Sequence, residues 1–311
     1  MPPPLILLDF DGTITQSDTI DALIHSAIEN SFRNPAIANQ ASWNDIVNAW
    51  ISDNERHVSA YSPPPEARTT VEAELEFLES LRELEKASIA RVEKPGFFRG
   101  LIPDEWVFLG RYALDNGDVV LRKGFDEFMD VAEGKEWKEE GRWEVGIVSV
   151  NWSGGWVRGA AGWERKWRGG EMVNCIVRGG KIQGPKVGGF GKGRMILTAG
   201  DKLEAAKVLV GNREGGRKWM YVGDSATDLA CLLEADLGVV MASEGQSSLL
   251  STLERIGVDV KHVGEWQEGT KVVWARDFGE LLGSEVMEWL EGVRDLAKEM
   301  DQLLDGMNCD W

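Results

Sequence analysis

Asp9 and Asp11 are the first residues of this chain whose types and spacing suggest chemistry. They stand in Leu5-Ile-Leu-Leu-Asp-Phe-Asp-Gly-Thr-Ile-Thr15, directly after a short apolar run. Two carboxylates two residues apart project the same way from an extended chain. Their mutual repulsion falls when a cation lies between them. The stretch also reads as an Asx-type turn at Asp11-Gly12, with Thr13 or Thr15 capping a helix. Alone it does not decide between these readings.

Four further positions matter. Ser149 ends the apolar run Val145-Gly-Ile-Val148, Lys202 stands in Gly200-Asp-Lys-Leu203, and Asp224 and Asp228 fall in Tyr221-Val-Gly-Asp-Ser-Ala-Thr-Asp228. Several carboxylates with water completing the shell are how Mg²⁺ is usually held. A compact ammonium, a hydroxyl and loop amides beside them suit a phosphoryl group. Singly, each has an ordinary explanation: a strand-end hydroxyl, an exposed lysine at a helix start, a turn residue and an N-cap. Their order along the chain is what makes them a set.

The elements that must position these residues follow from apolar patterning. Leu5–Leu8, Val145–Val148, Trp219–Val222 and Leu237–Met241 read as strands covered on both faces, because they are apolar without alternation. A strand of that kind ending in Asp9 would present it where α/β sheets bind ligands. Asn174–Val177 and Lys181–Gln183, joined through Gly179-Gly180, read as a hairpin, and Leu203–Val210 as a helix. Strands alternating with helices imply an α/β fold with a mostly parallel sheet.

Between the first strand and the rest, residues 16–116 read as helical. Ser17 or Asp18 would cap a helix through Ile20, Leu23, Ile24, Ala27 and Ile28. Trp43, Ile46, Val47, Trp50 and Ile51 repeat the helical spacing. After Pro63-Pro64-Pro65 comes one long amphipathic stretch, with Val71, Leu75, Leu78, Leu81 and Leu84 on one face and a solvated run of glutamates on the other. A connection of this length where 2 to 6 residues usually suffice implies an inserted domain lying over Asp9 and Asp11. The expected division is a core of residues 1–15 and 120–311 with a helical cap of residues 16–119. The Trp- and Gly-rich zone 134–170 and residues 211–217 read as surface insertions, and residues 284–304 as a C-terminal helix. Aromatic and histidine residues of the cap, such as His25, His57, Trp43 and Trp50, are candidates to face a ligand, although an aromatic at helical spacing is more often core.

Composition narrows the classes. The chain of 311 residues has 52 acidic and 34 basic side chains, a net charge of −18. Such a surface repels nucleic acid and anionic lipid, so neither is an expected partner. Its three cysteines are widely spaced and give no disulfide or zinc pattern. No stretch approaches a membrane span or a secretory signal, and a cytoplasmic location is the expectation. Oligomeric state is not legible.

Asp9-Phe-Asp-Gly-Thr13, Ser149, Lys202 and Gly223-Asp-Ser-Ala-Thr-Asp228 together resemble the four motifs of the haloacid dehalogenase superfamily. That resemblance implies a Rossmann-like core with an all-helical cap of C1 type. It also implies that Asp9 is a nucleophile forming an aspartyl-phosphate and that Asp11 is a general acid and then base. Asp9, the Asp11 main-chain carbonyl and Asp224 would hold Mg²⁺, supported by Asp228, while Ser149 and Lys202 grip phosphoryl oxygens. The aspartate at position 11 points to phosphatases rather than dehalogenases. Tyr221–Val239 is similar to the phosphatase half of plant thiamin monophosphate phosphatases, and Asp9–Thr15 with Asp18 to phosphatases of the phosphoserine and phosphocholine types. The expected function is a Mg²⁺-dependent phosphomonoesterase acting on a small phosphorylated metabolite, with thiamin monophosphate as a candidate. Asn151, Trp152 and Asp18 are candidates to touch the leaving group. The alternatives are a phosphotransferase or phosphomutase, and a binding protein that retains the fold, the latter suggested by the chain's 14 tryptophans.

Overall fold

The computed structural model describes residues 3–29, 40–133, 143–162, 170–177, 179–186, 189–191, 193–211 and 217–292. Strand β1 (Leu5–Leu8) leads through a tight loop at Phe10–Ile14 into five helices: α1 (Ile20–Glu29), α2 (Gln40–Ala60), α3 (Val71–Ser80), α4 (Arg82–Glu93) and α5 (Pro103–Asn116). Helix α6 (Phe125–Glu133) then opens an alternating region: β2 (Glu144–Ser149), α7 (Gly154–Ala160), β3 (Glu171–Val173), β4 (Cys175–Val177), β5 (Lys181–Gln183), α8 (Ala199–Val210), β6 (Trp219–Gly223), α9 (Leu229–Glu234) and β7 (Leu237–Met241). The described chain closes with α10 (Ser248–Arg255), β8 (Val260–His262), β9 (Val272–Ala275), α11 (Phe278–Leu282) and α12 (Glu285–Leu290).

Seven strands form one sheet in the order β3-β2-β1-β6-β7-β9-β8. Every pair in it is parallel. The apolar runs have a direct cause in this architecture. Ile6, Leu8, Met220 and Val222 point into one apolar layer, while Leu5, Leu7, Trp219 and Tyr221 point into the other. With helices on both faces, a strand has no solvent side on which to alternate polar residues. β4 and β5 pair antiparallel as a separate hairpin, with Cys175 opposite Gln183. β1 lies between β2 and β6, in register Leu8 with Ile147 and Leu8 with Val222. The chain leaves β1 toward one neighbour and returns later to the other. A crevice opens at the carboxyl end of such a switch point.

The helices that follow β1 pack against the alternating region, among other places, through α3 and α5. Phe77 and Leu78 of α3 share the apolar layer of Leu5, Leu7 and Ala205. α5 crosses α7 at backbone contact: a Cβ on Gly110 would lie 2.1 Å from the Trp156 carbonyl oxygen, and one on Gly159 2.0 Å from that of Val107. Only glycine permits that approach.

Several expectations need correction. The stretch expected as one helix from Val71 to Leu84 is broken at Leu81, and the buried face changes from Phe77 and Leu78 in α3 to Ile89 and Val92 in α4. Glu74 does not belong to a solvated face. It is buried, 2.8 Å from Arg68 and 2.9 Å from Arg255, so this carboxylate is paired twice. The zone 134–170 is not a surface insertion where it is described, because it contains β2 and α7 and buries Trp143 and Trp156. Residues 134–142 and 163–169 lie outside the described residues, as do 212–216 and the expected C-terminal helix beyond residue 292. Strands β3, β8 and β9 were not expected. Among the described residues no helix is long and apolar enough to cross a membrane.

Candidate active site

Asp9 continues β1: its main-chain N–H donates to Val222 O at 2.9 Å, which sets the carboxyl at the carboxyl edge of the sheet. The side chain is buried. Lys202, fully buried from the second turn of α8, brings Nζ to 3.0 Å from Asp9 Oδ1 and to 2.6 Å from Asp228 Oδ1. It is therefore not the exposed helix-start lysine that its local sequence suggests. Among the described residues this ammonium is the one group that meets Asp9 Oδ1. A buried carboxylate oxygen whose one partner is an ammonium shared with Asp228 keeps lone pairs for a ligand to complete.

Carboxylate oxygens of Asp9, Asp224 and Asp228 lie within 4.8 Å of one another. They are not equivalent. Asp228 Oδ1 receives Lys202 and the Tyr221 hydroxyl at 2.7 Å, while its Oδ2 accepts from the Asp224 and Ser225 N–H groups at 3.1 and 3.0 Å and from Ser225 Oγ at 3.0 Å. With its lone pairs spent, Asp228 is a buttress that fixes the Asp224 loop and Lys202. Asp224 accepts one hydrogen bond from Thr13 Oγ1 at 2.9 Å. Its carboxyl lies against Gly12, where a Cβ would meet Asp224 Oδ2 at 2.2 Å and where φ is +70°. Both the turn and the approach of Asp224 thus require glycine. The all-oxygen donor set and the excess of buried carboxylate over the single Lys202 charge fit a hard divalent cation such as Mg²⁺. Asp9 and Asp224 would hold it.

Asp11 is turned away from this group. Its Oδ1 accepts the Thr19 N–H at 2.9 Å together with the Thr19 hydroxyl, and its Oδ2 accepts from Asn151 Nδ2 at 3.0 Å. Ser149, fully buried at the end of β2, accepts the Asn151 N–H at 3.1 Å. Arg122 holds the loop from below. Its guanidinium donates to Thr13 O at 2.9 Å and to Gly12 O, and it reaches Ser243 Oγ and Arg276 O at 2.9 and 3.0 Å.

The electrostatics follow from this crowding. Burial, then the charge of Asp228, pushes the Asp9 pKa well above the usual carboxyl value. Burial and Asp228 likewise raise Asp224 to about 7. Burial and then Asp18 raise Asp11 to about 6, against the hydrogen bonds from Thr19 and Asn151. Burial alone would lower Lys202, but Asp228 and Asp9 outweigh it and hold the ammonium charged. These directions give the sign of a pH dependence. Carboxyls with raised pKa values stabilise the fold fully below their unfolded pKa of about 4. That contribution is lost as pH rises through about 6 for Asp11 and about 7 for Asp224. The metal-free protein is therefore expected to melt lower near neutral pH than under mildly acidic conditions. Mg²⁺ at about 100 times its Kd, worth about 2.7 kcal/mol, should raise the melting temperature more at the neutral pH, where its ligands are ionised. Melting curves with Mg²⁺ and with chelator at the two pH values test this. No Mg²⁺ shift near neutrality would show that these carboxylates hold no cation.

The remaining candidates separate. Asp18 caps α1, accepting the Ile20 N–H at 2.8 Å, and lies close enough to raise Asp11. Asn151 is fully buried and its Oδ1 accepts the Ser153 N–H at 3.2 Å, so its polar atoms serve Asp11 and the local turn rather than an incoming ligand. Trp152 packs edge-on against Trp43 and Phe98, with ring centroids 6.4 and 6.2 Å away, at the seam between core and insert. Trp43 is core, with its indole N–H on Asp21 at 2.7 Å. Trp50 donates to Glu85 at 3.2 Å and His57 bonds Ser80 Oγ at 2.7 Å, so neither joins the site. His25 is exposed on α1. Among the described tryptophans only Trp50 is exposed, at 36%. The described tryptophans therefore serve mainly packing, while Trp137, Trp163, Trp167 and Trp311 lie outside the described residues. Sequence reasoning missed Thr19 and Arg122, and gave neither Thr13 nor Tyr221 its bond to a site carboxylate. Only Thr13 carried a signal, through its place beside Gly12.

No family model matches the chain. Over 274 residues it is 26% identical to the mitochondrial bifunctional TH2 protein of Arabidopsis thaliana, covering 81% of this chain and 41% of that protein. Over 151 residues it is 32% identical to a CTO1 family protein of Schizosaccharomyces pombe, covering 48% of this chain and 46% of the relative. The chain thus spans less than half the length of the curated relatives it matches. Among solved structures it is similar to a substrate-bound phosphoserine phosphatase complex, at 16% identity and TM-score 0.46, covering 91% of this chain and 98% of that one. It is also similar to a phospho-aspartyl intermediate analogue of phosphoserine phosphatase, at 15% identity and TM-score 0.43, covering 91% and 99%.

Proposed function

We propose that this chain, which carries the haloacid dehalogenase motif set on an α/β core with a parallel sheet, is a Mg²⁺-dependent phosphomonoesterase for a small metabolite. The observation that carries the reading is the buried Asp9 carboxylate, with one oxygen met only by the Lys202 ammonium and grouped with Asp224. A second carboxyl, Asp11, stands two residues on and is held at both oxygens. In this reading an Asp9 oxygen attacks phosphorus and forms an acyl phosphate as the bond to the leaving oxygen breaks. Asp11 gives that oxygen its proton. Asp11 then takes a proton from water, which attacks the phosphorus and releases phosphate from Asp9. Lys202 and Ser149 would hold phosphoryl oxygens. Mg²⁺ bound by Asp9 and Asp224 would supply positive charge between nucleophile and phosphoryl group. Asp11, raised to about 6 by burial and Asp18, is suited to alternate between acid and base near neutrality.

For the substrate, we propose a small alcohol phosphate with thiamin monophosphate to be tested first. Support comes from the resemblance along Tyr221–Val239 and from the acidic character of the chain. The carboxylate of Asp18, close enough to raise Asp11, favours a leaving group that carries positive charge. The experiment compares kcat/KM for thiamin monophosphate, phosphoserine and a neutral sugar phosphate, with Mg²⁺ and with chelator. Thiamin monophosphate is expected to lead by about tenfold or more, one order being about 1.4 kcal/mol of recognition. Parity with the sugar phosphate would end the cation argument and leave the general phosphatase reading. Full activity in chelator would end both.

A further inference from the structure

The phosphatase reading assigns proton transfer to Asp11 but leaves open what aims it. We propose that Asn151 is the positioning residue that fixes the Asp11 carboxyl toward the leaving oxygen and ties that aim to the phosphate-gripping Ser149.

Five contacts carry the inference. The Asn151 side-chain amide donates to Asp11 Oδ2 at 3.0 Å. Its main-chain N–H donates to Ser149 Oγ at 3.1 Å. Its side-chain oxygen accepts the Ser153 N–H at 3.2 Å, which locks the amide so that nitrogen faces Asp11. On the opposite side, the Thr19 N–H meets Asp11 Oδ1 at 2.9 Å, together with the Thr19 hydroxyl. The acid is thus gripped from two elements far apart in sequence: Thr19 at the start of the helical insert, and Asn151 in the turn between β2 and α7. With donors on both oxygens, the plane of the carboxyl is fixed. Proton transfer in a transition state depends on such alignment.

The side-chain chemistry is specific. A carboxylate at position 151 would face Asp11 with like charge. A serine would be too short to reach Asp11, yet its hydroxyl could still accept the Ser153 N–H in an equivalent turn. Asn151 is fully buried, so it acts through Asp11 and not by touching substrate.

The inference rests on the phosphatase reading, and its test separates the two. kcat/KM reports the steps up to transfer of the phosphoryl group to Asp9, where the leaving oxygen needs its proton. An alkyl phosphate such as glycerol 2-phosphate needs that proton, whereas p-nitrophenyl phosphate, with its weakly basic leaving group, needs it far less. Asn151→Ser, which keeps the turn to Ser153, and Asn151→Ala should both lower kcat/KM for glycerol 2-phosphate by roughly 10²-fold. The loss on p-nitrophenyl phosphate should be at least about tenfold smaller, the pattern expected for Asp11→Asn. In an Asp11→Asn background the further change Asn151→Ser should add little on glycerol 2-phosphate, because both substitutions remove the same function. Melting temperatures of all variants establish that they fold. Equal losses on the two substrates, or additive losses in the double variant, would overturn the positioning role. A wild-type protein that hydrolyses neither ester would overturn the phosphatase reading, and the inference with it.

Discussion

Asp9→Asn is expected to lower kcat on any accepted phosphate ester by on the order of 10⁴-fold or more, the scale of removing a covalent nucleophile. The amide keeps the size of the carboxylate but cannot form the acyl phosphate, and the charge facing Lys202 is lost. The same substitution should not weaken the fold in chelator at neutral pH. Asp9 sits among Asp228, Asp224 and Asp11, and burial together with Asp228 drives its pKa upward, so the neutral form suits the metal-free site better than the charged one. A melting temperature at or above that of the wild type, with activity lost, is the expected pair of results. Substantial remaining turnover would exclude Asp9 as the nucleophile. Lost activity with a collapsed melting temperature would show a structural role instead.

Lys202→Met should give the largest loss of stability. Lys202 Nζ stands between Asp9 and Asp228, at 3.0 and 2.6 Å, and all three side chains are almost wholly buried. Removing the cation leaves two carboxylates facing one another without solvent. Breaking a buried pair costs about 3–5 kcal/mol, because the partner charge is stranded. The pKa of Lys202 is raised, so its own contribution is complete below the ordinary lysine value and is lost only in strong alkali. In the variant, the stranded carboxyls are relieved by protonation, so the deficit should shrink as pH falls from neutrality toward about 5. Urea unfolding of both proteins at the two pH values measures this. A variant as stable as the wild type at neutral pH would mean that Lys202 does not bridge these carboxylates. A second cationic clamp lies next to it. Arg82 of the insert meets the buried Asp201 at 2.8 and 3.0 Å, and Arg194 meets the same carboxylate at 2.8 Å, so the residue beside Lys202 is pinned from two sides.

What the sequence alone determined were features encoded within a few residues. Leu5–Leu8 announces a doubly covered strand, and Asp9, Asp11 and Gly12 announce a carboxylate-bearing turn at its end. Gly223-Asp-Ser-Ala-Thr-Asp228 announces a second such turn. Turn chemistry and strand burial are local, and so they are legible without a partner. Tertiary structure decided the roles within the set. Asp224 and Asp228 look alike in sequence, but Asp228 is saturated by Tyr221, Lys202 and two main-chain N–H groups while Asp224 is left with one donor from Thr13. Asn151 and Thr19 are ordinary polar residues until folding brings both onto Asp11. The three-residue strands β3 and β8 carry too few residues for a period to show, and they extend because neighbouring strands offer unpaired edges. The Trp- and Gly-rich zone misleads for the same reason. Gly159 and Trp156 look like loop composition until α5, about fifty residues earlier in the chain, packs against them at backbone contact. Burial and hydrogen-bond saturation are properties of pairs distant in sequence, and only the folded chain forms those pairs.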